Sequence, residues 1–303
     1  FVESMRSAGR KLCAGLRAQA VSRNANFSTR YLPCTQAKAE LGPTFLSRNA
    51  VATHGLRFMS AKPEKENFGS IYVENSPQSY IERLNPVDYG HYHDRYQELI
   101  TTELKTFAPK DRKMIAVELG SSYGNTTLTY KCGYKWEAAC KAWLDESEPL
   151  TQAFDVHVNA VDLSPEALDY GKKRGIFDET FQHDFSKPYS FEIAAKLQEA
   201  DFVTSIMTTF YIPTERWMEG CYKFLSDRTK PKLLVYNVMQ SFDQRNLTPE
   251  LLFAGIPNWT AKSSFNKHRN FTPTEQDSHN GSKEAWTTTY LVTFHAQEPY
   301  KAH

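Results

Sequence analysis

Cysteine is scarce: five occur in 303 residues, and the three outside the first 60, Cys132, Cys140 and Cys221, are odd in number and show no C-x-x-C spacing. That excludes a disulfide framework and a zinc ribbon and fits a reducing compartment. No run of about 18 apolar residues occurs, so no stretch reads as a membrane-spanning helix. Aspartate is missing from residues 1–60, where only Glu3 and Glu40 oppose nine Lys or Arg, whereas the remainder holds 27 basic and 33 acidic residues, a net of −6. The near-neutral total of +1 therefore hides a basic leader on an acidic body. A net negative body opposes a nucleic-acid groove, because phosphate binding is driven by positive charge, and the locally basic Lys262–Arg269 does not reverse that. Two phosphate signatures are also absent, G-x-x-x-x-G-K-[ST] and G-x-G-x-x-G. What remains, 40% hydrophobic and 23% charged, is a globular composition that excludes a wholly disordered or collagen-like chain.

The leader, residues 1–60, is rich in Arg, Ser and Ala and has no apolar h-region. This is the composition of an organelle transit peptide, and Arg57-Phe58-Met59-Ser60 resembles a mitochondrial processing site. Plastid transit peptides share the composition. The expectation is a disordered leader over 1–60, a polar linker over 61–79 and one folded domain over 80–303.

Within that domain the spacing of Tyr92, Tyr96, Leu99 and Leu104 predicts a helix over 91–107. The apolar run 113–119 predicts a first strand that breaks at Gly120-Ser-Ser-Tyr-Gly124 into a long amphipathic stretch reaching Trp143, capped at Asn125-Thr126. A second strand over 156–162 ends in Asp162, with Ser164 as N-cap and Pro165 at the first position of a helix that stops at Gly175. Strands over 200–207, 232–238 and 286–294 and a helix over 213–225 follow. Strands alternating with helices predict an α/β, Rossmann-like, mostly parallel sheet with helices on both faces.

In such a sheet ligands sit at the carboxyl ends of the strands. Gly120 permits a tight turn and close ligand approach, and Gly124 lets the helix start pack near the strand. Without the glycine pattern that cradles a pyrophosphate, the turn suits a nucleoside lacking phosphates, with an amino-acid tail whose ammonium meets Glu118. Asp162 can accept from both ribose hydroxyls, and Asp184, in His183-Asp184-Phe185 after a third strand, can take the amino group of adenine.

V-E-L-G-S-S-Y-G-N, A-V-D-L-S-P-E-A-L, H-D-F and D-F-V-T-S-I-M-T-T-F-Y together resemble the four motifs of the class I S-adenosylmethionine-dependent methyltransferases, over about 89–297. The resemblance implies S-adenosyl-L-methionine as cofactor, held by Glu118, Gly120, Ser121, Ser122 and Gly124 at the methionine part, Asp162 at the ribose, and Leu163, Asp184 and Phe185 at the adenine. Two departures stand out. Ser122 replaces the family's middle glycine, and Asp162 lies farther from Gly120 than the customary twenty or so residues, which fits an elongated helix and loop over 134–154.

The acceptor is less legible. The [ND]-P-P-[YF] tetrad of amide and amine methylases is replaced by Met207-Thr-Thr-Phe-Tyr211-Ile-Pro213, and Cys221, inside a predicted helix, reads as packing and not as a nucleophile. Thr208, Thr209 and Tyr211 are the candidate pocket-lining residues on the sheet side, with His91 and Tyr92 on a helix that lids the other. His91 and His93 diverge on a helix, so no metal site is expected. The reading is methyl transfer to a small organic molecule; the alternatives are an organelle protein or rRNA methyltransferase and a catalytically silent assembly factor. For the leader, residues 5–65 fused to a reporter are expected to enter mitochondria on cell fractionation, and a cytosolic or secreted reporter contradicts that.

Overall fold

A computed structural model describes residues 71, 74–147, 149–240, 242–243, 245–279 and 281–297. The leader 1–60 and most of the 61–79 linker lie outside the described residues. The described end of that linker is part of the fold: helix α1 starts inside it (Gln78–Leu84), Ile71 is buried, and the Tyr123 hydroxyl lies 2.7 Å from the carbonyl oxygens of Ile71 and Glu74.

The remaining elements are α2 (Tyr89–Phe107), β1 (Met114–Leu119), α3 (Asn125–Cys132), α4 (Trp136–Leu144), β2 (Val156–Asp162), α5 (Pro165–Lys173), β3 (Glu179–Gln182), α6 (Phe191–Glu199), β4 (Phe202–Ser205), α7 (Thr214–Phe224), β5 (Lys232–Met239), α8 (Pro249–Leu252), β6 (Trp259–Asn270), α9 (Pro273–Ser278) and β7 (Glu284–Phe294). The seven strands form one sheet in the order β3-β2-β1-β4-β5-β7-β6. β1 to β5 pair in parallel, and β7 runs antiparallel between β5 and β6. The strand order reverses between β1 and β4, so their carboxyl ends form the crevice expected of a doubly wound sheet.

Both faces are covered, as the alternation along β1 requires. Met114 and Ala116 face one apolar cluster, shared with α1 to α5, while Val117 and Leu119 face the other, shared with α6 to α8. Among the described residues no helix is long and apolar enough to cross a membrane.

The stretch expected as one helix from Asn125 to Trp143 is two. Gly133 adopts φ +73°, its N–H bonds the Thr129 carbonyl (3.0 Å), and the Tyr134 N–H bonds that of Leu128 (3.1 Å), the hydrogen-bond pattern of a helix stop. Nor is α3 amphipathic, since all eight of its residues are buried, and the residue at its N-cap is Gly124 and not Asn125. Ser164 does cap α5, its side chain accepting from the Ala167 N–H (3.1 Å), and Gly175 at φ +75° follows the end of that helix. Five elements, α1, α6, α8, β6 and α9, go beyond the sequence reading. α6 is capped by Ser190 and buries Ile193 and Leu197 at helical spacing, a short signal. β6 is an edge strand whose residues alternate poorly in hydrophobicity, and pairing with β7 is what makes it a strand.

Candidate functional site

The turn after β1 takes three left-handed steps, at Gly120 (φ +77°), Ser122 (φ +49°) and Gly124 (φ +90°). Two glycines make two of these free of strain; Ser122 carries a Cβ in a region that non-glycine residues seldom occupy. The backbone of the turn is held by its neighbour strand. Gly120 and Ser121 N–H groups donate to the Val161 carbonyl (2.8 and 3.2 Å), and the Ser122 N–H donates to Asp162 Oδ2 (2.8 Å). The other oxygen of Asp162, Oδ1, accepts from the Ser164 N–H (2.9 Å). Asp162 thus joins the turns after β1 and β2, and with the Leu163 N–H also acting on its carboxyl it keeps about one of its four lone-pair directions for a further donor. Burial raises its pKa, while these N–H groups oppose the rise.

Gly120 has a second reason to be glycine. A Cβ there would lie 2.0 Å from Thr208 Oγ1 and 2.3 Å from its Cγ2, so the turns after β1 and β4 touch. Next to Thr208, Met207 is also left-handed (φ +62°), and its N–H donates to Asn237 Oδ1 (2.7 Å) at the end of β5. Asn237 is a site-shaping residue that the sequence reading missed, although one amide inside the apolar run of β5 was its signal.

Glu118 sits differently from the expectation. It is 1% exposed, on the α2–α3 face of β1, and its carboxyl accepts from the Thr127 hydroxyl and from the Tyr130 hydroxyl (3.1 Å). Burial pushes its pKa up to about 8, against the lowering effect of those hydroxyls, so it holds its proton at neutral pH.

Around the turn, Leu163 is 60% exposed beside Asp162, leaving an apolar surface free at the end of β2. Asp184 accepts from the Ser186 N–H (2.9 Å) and pairs with Lys187 (3.5 Å); these contacts, the Ser186 bonds first, hold its carboxyl below the usual range. Phe185 packs edge-on to His183, and burial lowers the pKa of that imidazole. Tyr211 is exposed, and Thr208 is half-buried against Gly120.

Three placements correct the expectations. Thr209 is fully buried, its hydroxyl donating to the Ser205 carbonyl (3.2 Å) and its own carbonyl accepting from Arg245 (2.8 Å), so it supports the loop and does not line a pocket. His91 lies on the exposed side of α2. Tyr92 is buried and bonded to Thr289 Oγ1 (3.2 Å) and Asn237 Nδ2 (3.3 Å), a wall behind the site and not a lid. Cys221 is buried and packs in the α6–α8 face, where burial pushes its thiol pKa up. Among the described residues no group of three or more His, Cys, Asp or Glu is placed to hold a metal ion.

No protein-family model matches the chain, and no curated protein matches it in sequence. Among solved structures, a SAM-dependent methyltransferase from Anabaena variabilis is similar over 77% of this chain and 97% of that one, at 12% identity and TM-score 0.43. The plantazolicin methyltransferase BpumL in complex with SAH is similar over 75% and 97%, at 12% identity and TM-score 0.41. A fibrillarin/Nop5p complex matches over 65% and 80%, at 12% identity and TM-score 0.35. The fold is a doubly wound, Rossmann-like α/β sheet. This chain's own strand order and registers establish the doubly wound sheet; the likeness names no acceptor.

Two predictions test this geometry. Between the ordinary carboxyl range and about pH 8 the folded chain keeps a Glu118 proton that the unfolded chain has lost, so stability falls as pH rises through that window. Glu118→Gln, which cannot ionise, is expected to flatten the fall and to be more stable than the parent at about pH 8.5 by on the order of 2 kcal/mol in urea unfolding. Parallel pH profiles for the two proteins would refute a buried, proton-holding acid. Gly120→Ala is expected to lose more than about 2 kcal/mol, and adding Thr208→Gly to recover part of it by removing the clash but not the φ strain. Strict additivity of the two changes would show that the Thr208 contact is not the cause.

Proposed function

We propose that the chain is an S-adenosylmethionine-dependent methyltransferase acting on a small organic acceptor. The observation that carries this reading is the content of the turn at the β1–β4 crevice. The hydroxyls of Ser121 and Ser122, residues 0% and 8% exposed, have no hydrogen-bond partner in the described structure, and beside them Asp162 keeps acceptor capacity next to the exposed Leu163. Buried hydroxyls without partners are unfavourable, so this turn is shaped for a polar ligand. An apolar surface beside a carboxylate suits a nucleoside, and the absence of a pyrophosphate-cradling glycine pattern argues against a dinucleotide.

When bound, the cofactor supplies an electrophilic methyl group on a sulfonium. The chain's own contribution would be positioning: the left-handed turn and Thr208 would hold the methionine part, Asp162 would orient the ribose, and Leu163 would cover one side of the purine. Tyr211 and Thr208 border the ground where an acceptor would stand in line with the methyl. Holding the two reactants in line supplies most of what such a transfer needs. The acidic body supports an acceptor other than a nucleic acid, and the basic leader supports a mitochondrial location.

Calorimetry on the full chain is expected to show binding of S-adenosylmethionine and S-adenosylhomocysteine, with NAD and ATP silent. NAD binding of comparable strength would overturn the cofactor reading. Labelled methyl donor incubated with a small-molecule extract is then expected to yield labelled product. Label found only in protein or RNA would move the acceptor to the macromolecular alternative, and cofactor binding without any turnover would favour the silent one.

A further inference from the structure

Residues 207–212 join β4 to α7 and border the crevice, and two side chains, one in β5 and one after it, grip them at either end. At the start, the amide of Asn237, 1% exposed in a strand whose residues are all buried, holds one residue twice: Oδ1 accepts from the Met207 N–H (2.7 Å), and Nδ2 lies 2.9 Å from Met207 Sδ. At the end, Arg245 donates to the carbonyls of Thr209 (2.8 Å) and Ile212 (2.6 Å), its guanidinium oriented by a two-point pairing with the buried Asp243 (2.8 and 2.7 Å). Thr208 sits between the two grips, its hydroxyl 3.4 Å from the Gly120 carbonyl oxygen and its side chain filling the space a Cβ on Gly120 would take.

The grips differ in kind. Arg245 holds a turn that also closes itself, through the Tyr211 N–H on the Thr208 carbonyl (2.8 Å) and the Ile212 N–H on the Thr209 carbonyl (3.2 Å). Asn237 holds a strained residue. Met207 stands at φ +62°, where methionine, unlike asparagine or aspartate, has no short polar side chain to offset the cost by a local hydrogen bond. Because a backbone N–H only donates, Oδ1 must face Met207, and this turns Nδ2 toward the Met207 thioether, Thr287 Oγ1 (3.1 Å) and the Tyr92 hydroxyl (3.3 Å). One amide thus ties the left-handed step to β7 and α2. Without it, Met207 would relax toward negative φ, and a rotation there swings the next residue, Thr208, off the Gly120 turn.

We propose that Asn237 is the positioning residue of the crevice: by holding Met207 left-handed it seats Thr208 on the Gly120 turn and sets the separation of the β1 and β4 ends at which the ligand binds. This rests on the cofactor reading above and adds to it a residue that acts on the ligand through the main chain of another.

The test is a double-mutant cycle on the full chain between Asn237→Leu, similar in size but without the amide, and Met207→Gly, because glycine takes a left-handed φ without strain. Affinity for S-adenosylhomocysteine is read by calorimetry, with the melting temperature beside it. Asn237→Leu is expected to melt lower, because Tyr92 and Thr287 lose a donor, and to bind S-adenosylhomocysteine about tenfold more weakly. In the Met207→Gly background the same substitution is expected to cost less than about twofold in affinity, while its drop in melting temperature stays as large. An amide that only supported the core would not separate binding from stability in this way. Asn237→Ser, polar but too short to reach the Met207 N–H, goes through the same cycle with the same expectation and decides the matter where the leucine variant does not fold. The assignment is overturned if the Asn237 variants bind as the parent does, if their loss of affinity is equal in both backgrounds, or if affinity and melting temperature recover together. A parent that does not bind S-adenosylhomocysteine fells the cofactor reading and the assignment with it, whereas a binding parent with an additive cycle fells the assignment alone.

Discussion

One carboxylate ties the architecture of the site together. Asp162 ends β2, yet its two oxygens accept from the N–H groups of Ser122 and Ser164, which begin the turns after β1 and β2. Without that bridge the left-handed step at Ser122 would lack its nearest compensation, because nothing in serine itself favours φ +49°. The bridge in turn places Gly120 where Thr208, from the far side of the strand-order reversal, can press on it. Strands β1, β2 and β4 are thus coupled at their carboxyl ends by one acid, one steric contact and two carbonyl bonds from Val161.

Behind this crevice α2 lays a row of tyrosines against the sheet. Tyr96 bonds Thr204 Oγ1 (3.2 Å), Tyr92 bonds Thr289 and Asn237, and Tyr89 accepts from Asn125 Nδ2 (3.0 Å). Farther along the helix Ile100 and Leu104 are buried without polar atoms. The buried face is therefore polar toward the carboxyl ends of the strands and apolar toward the other end. That gradient explains why Glu118 tolerates burial as a neutral acid: its neighbours on α3 are hydroxyls that can donate to it. It also explains why Tyr92 is unsuited to acid–base work, since burial pushes its phenol up to about 12.

The sequence made the parallel half of the molecule legible because its signals are local. The run into Gly120, the run into Asp162 and the Ser164-Pro165 cap each specify an element and its end within a few residues. Asp162 was legible as an acid at a strand end, and its bond from the Ser164 N–H is local, but its bond from the Ser122 N–H was not legible, because it depends on how two turns forty residues apart pack. Glu118 misled for the same reason: position along the strand was readable, whereas the face it takes, and the α3 hydroxyls waiting there, are tertiary facts. His91 and Tyr92 are adjacent in the sequence, yet on α2 the first is exposed and the second buried.

The antiparallel end of the sheet shows the limit most plainly. Arg269, in β6 just past the register shift, and Glu275 of α9 form a bidentate pair (2.6 Å for each bond), both almost wholly buried, and Glu275 also closes a capping box with Thr272. Removing either partner would strand a buried charge, so this pair fixes the β6–β7 connection more firmly than its polar sequence suggests. The fixed connection sets Phe271 in face-to-face contact with His279 (4.4 Å) and edge-on to Phe242, beside Met207, Phe210 and Met239. Met207 and Phe210 flank Thr208, so the aromatic ground beside the crevice is held by a charge pair some sixty residues away in the chain. No periodicity in residues 259–283 announces it, which is why the strand-end motifs were readable and the acceptor was not.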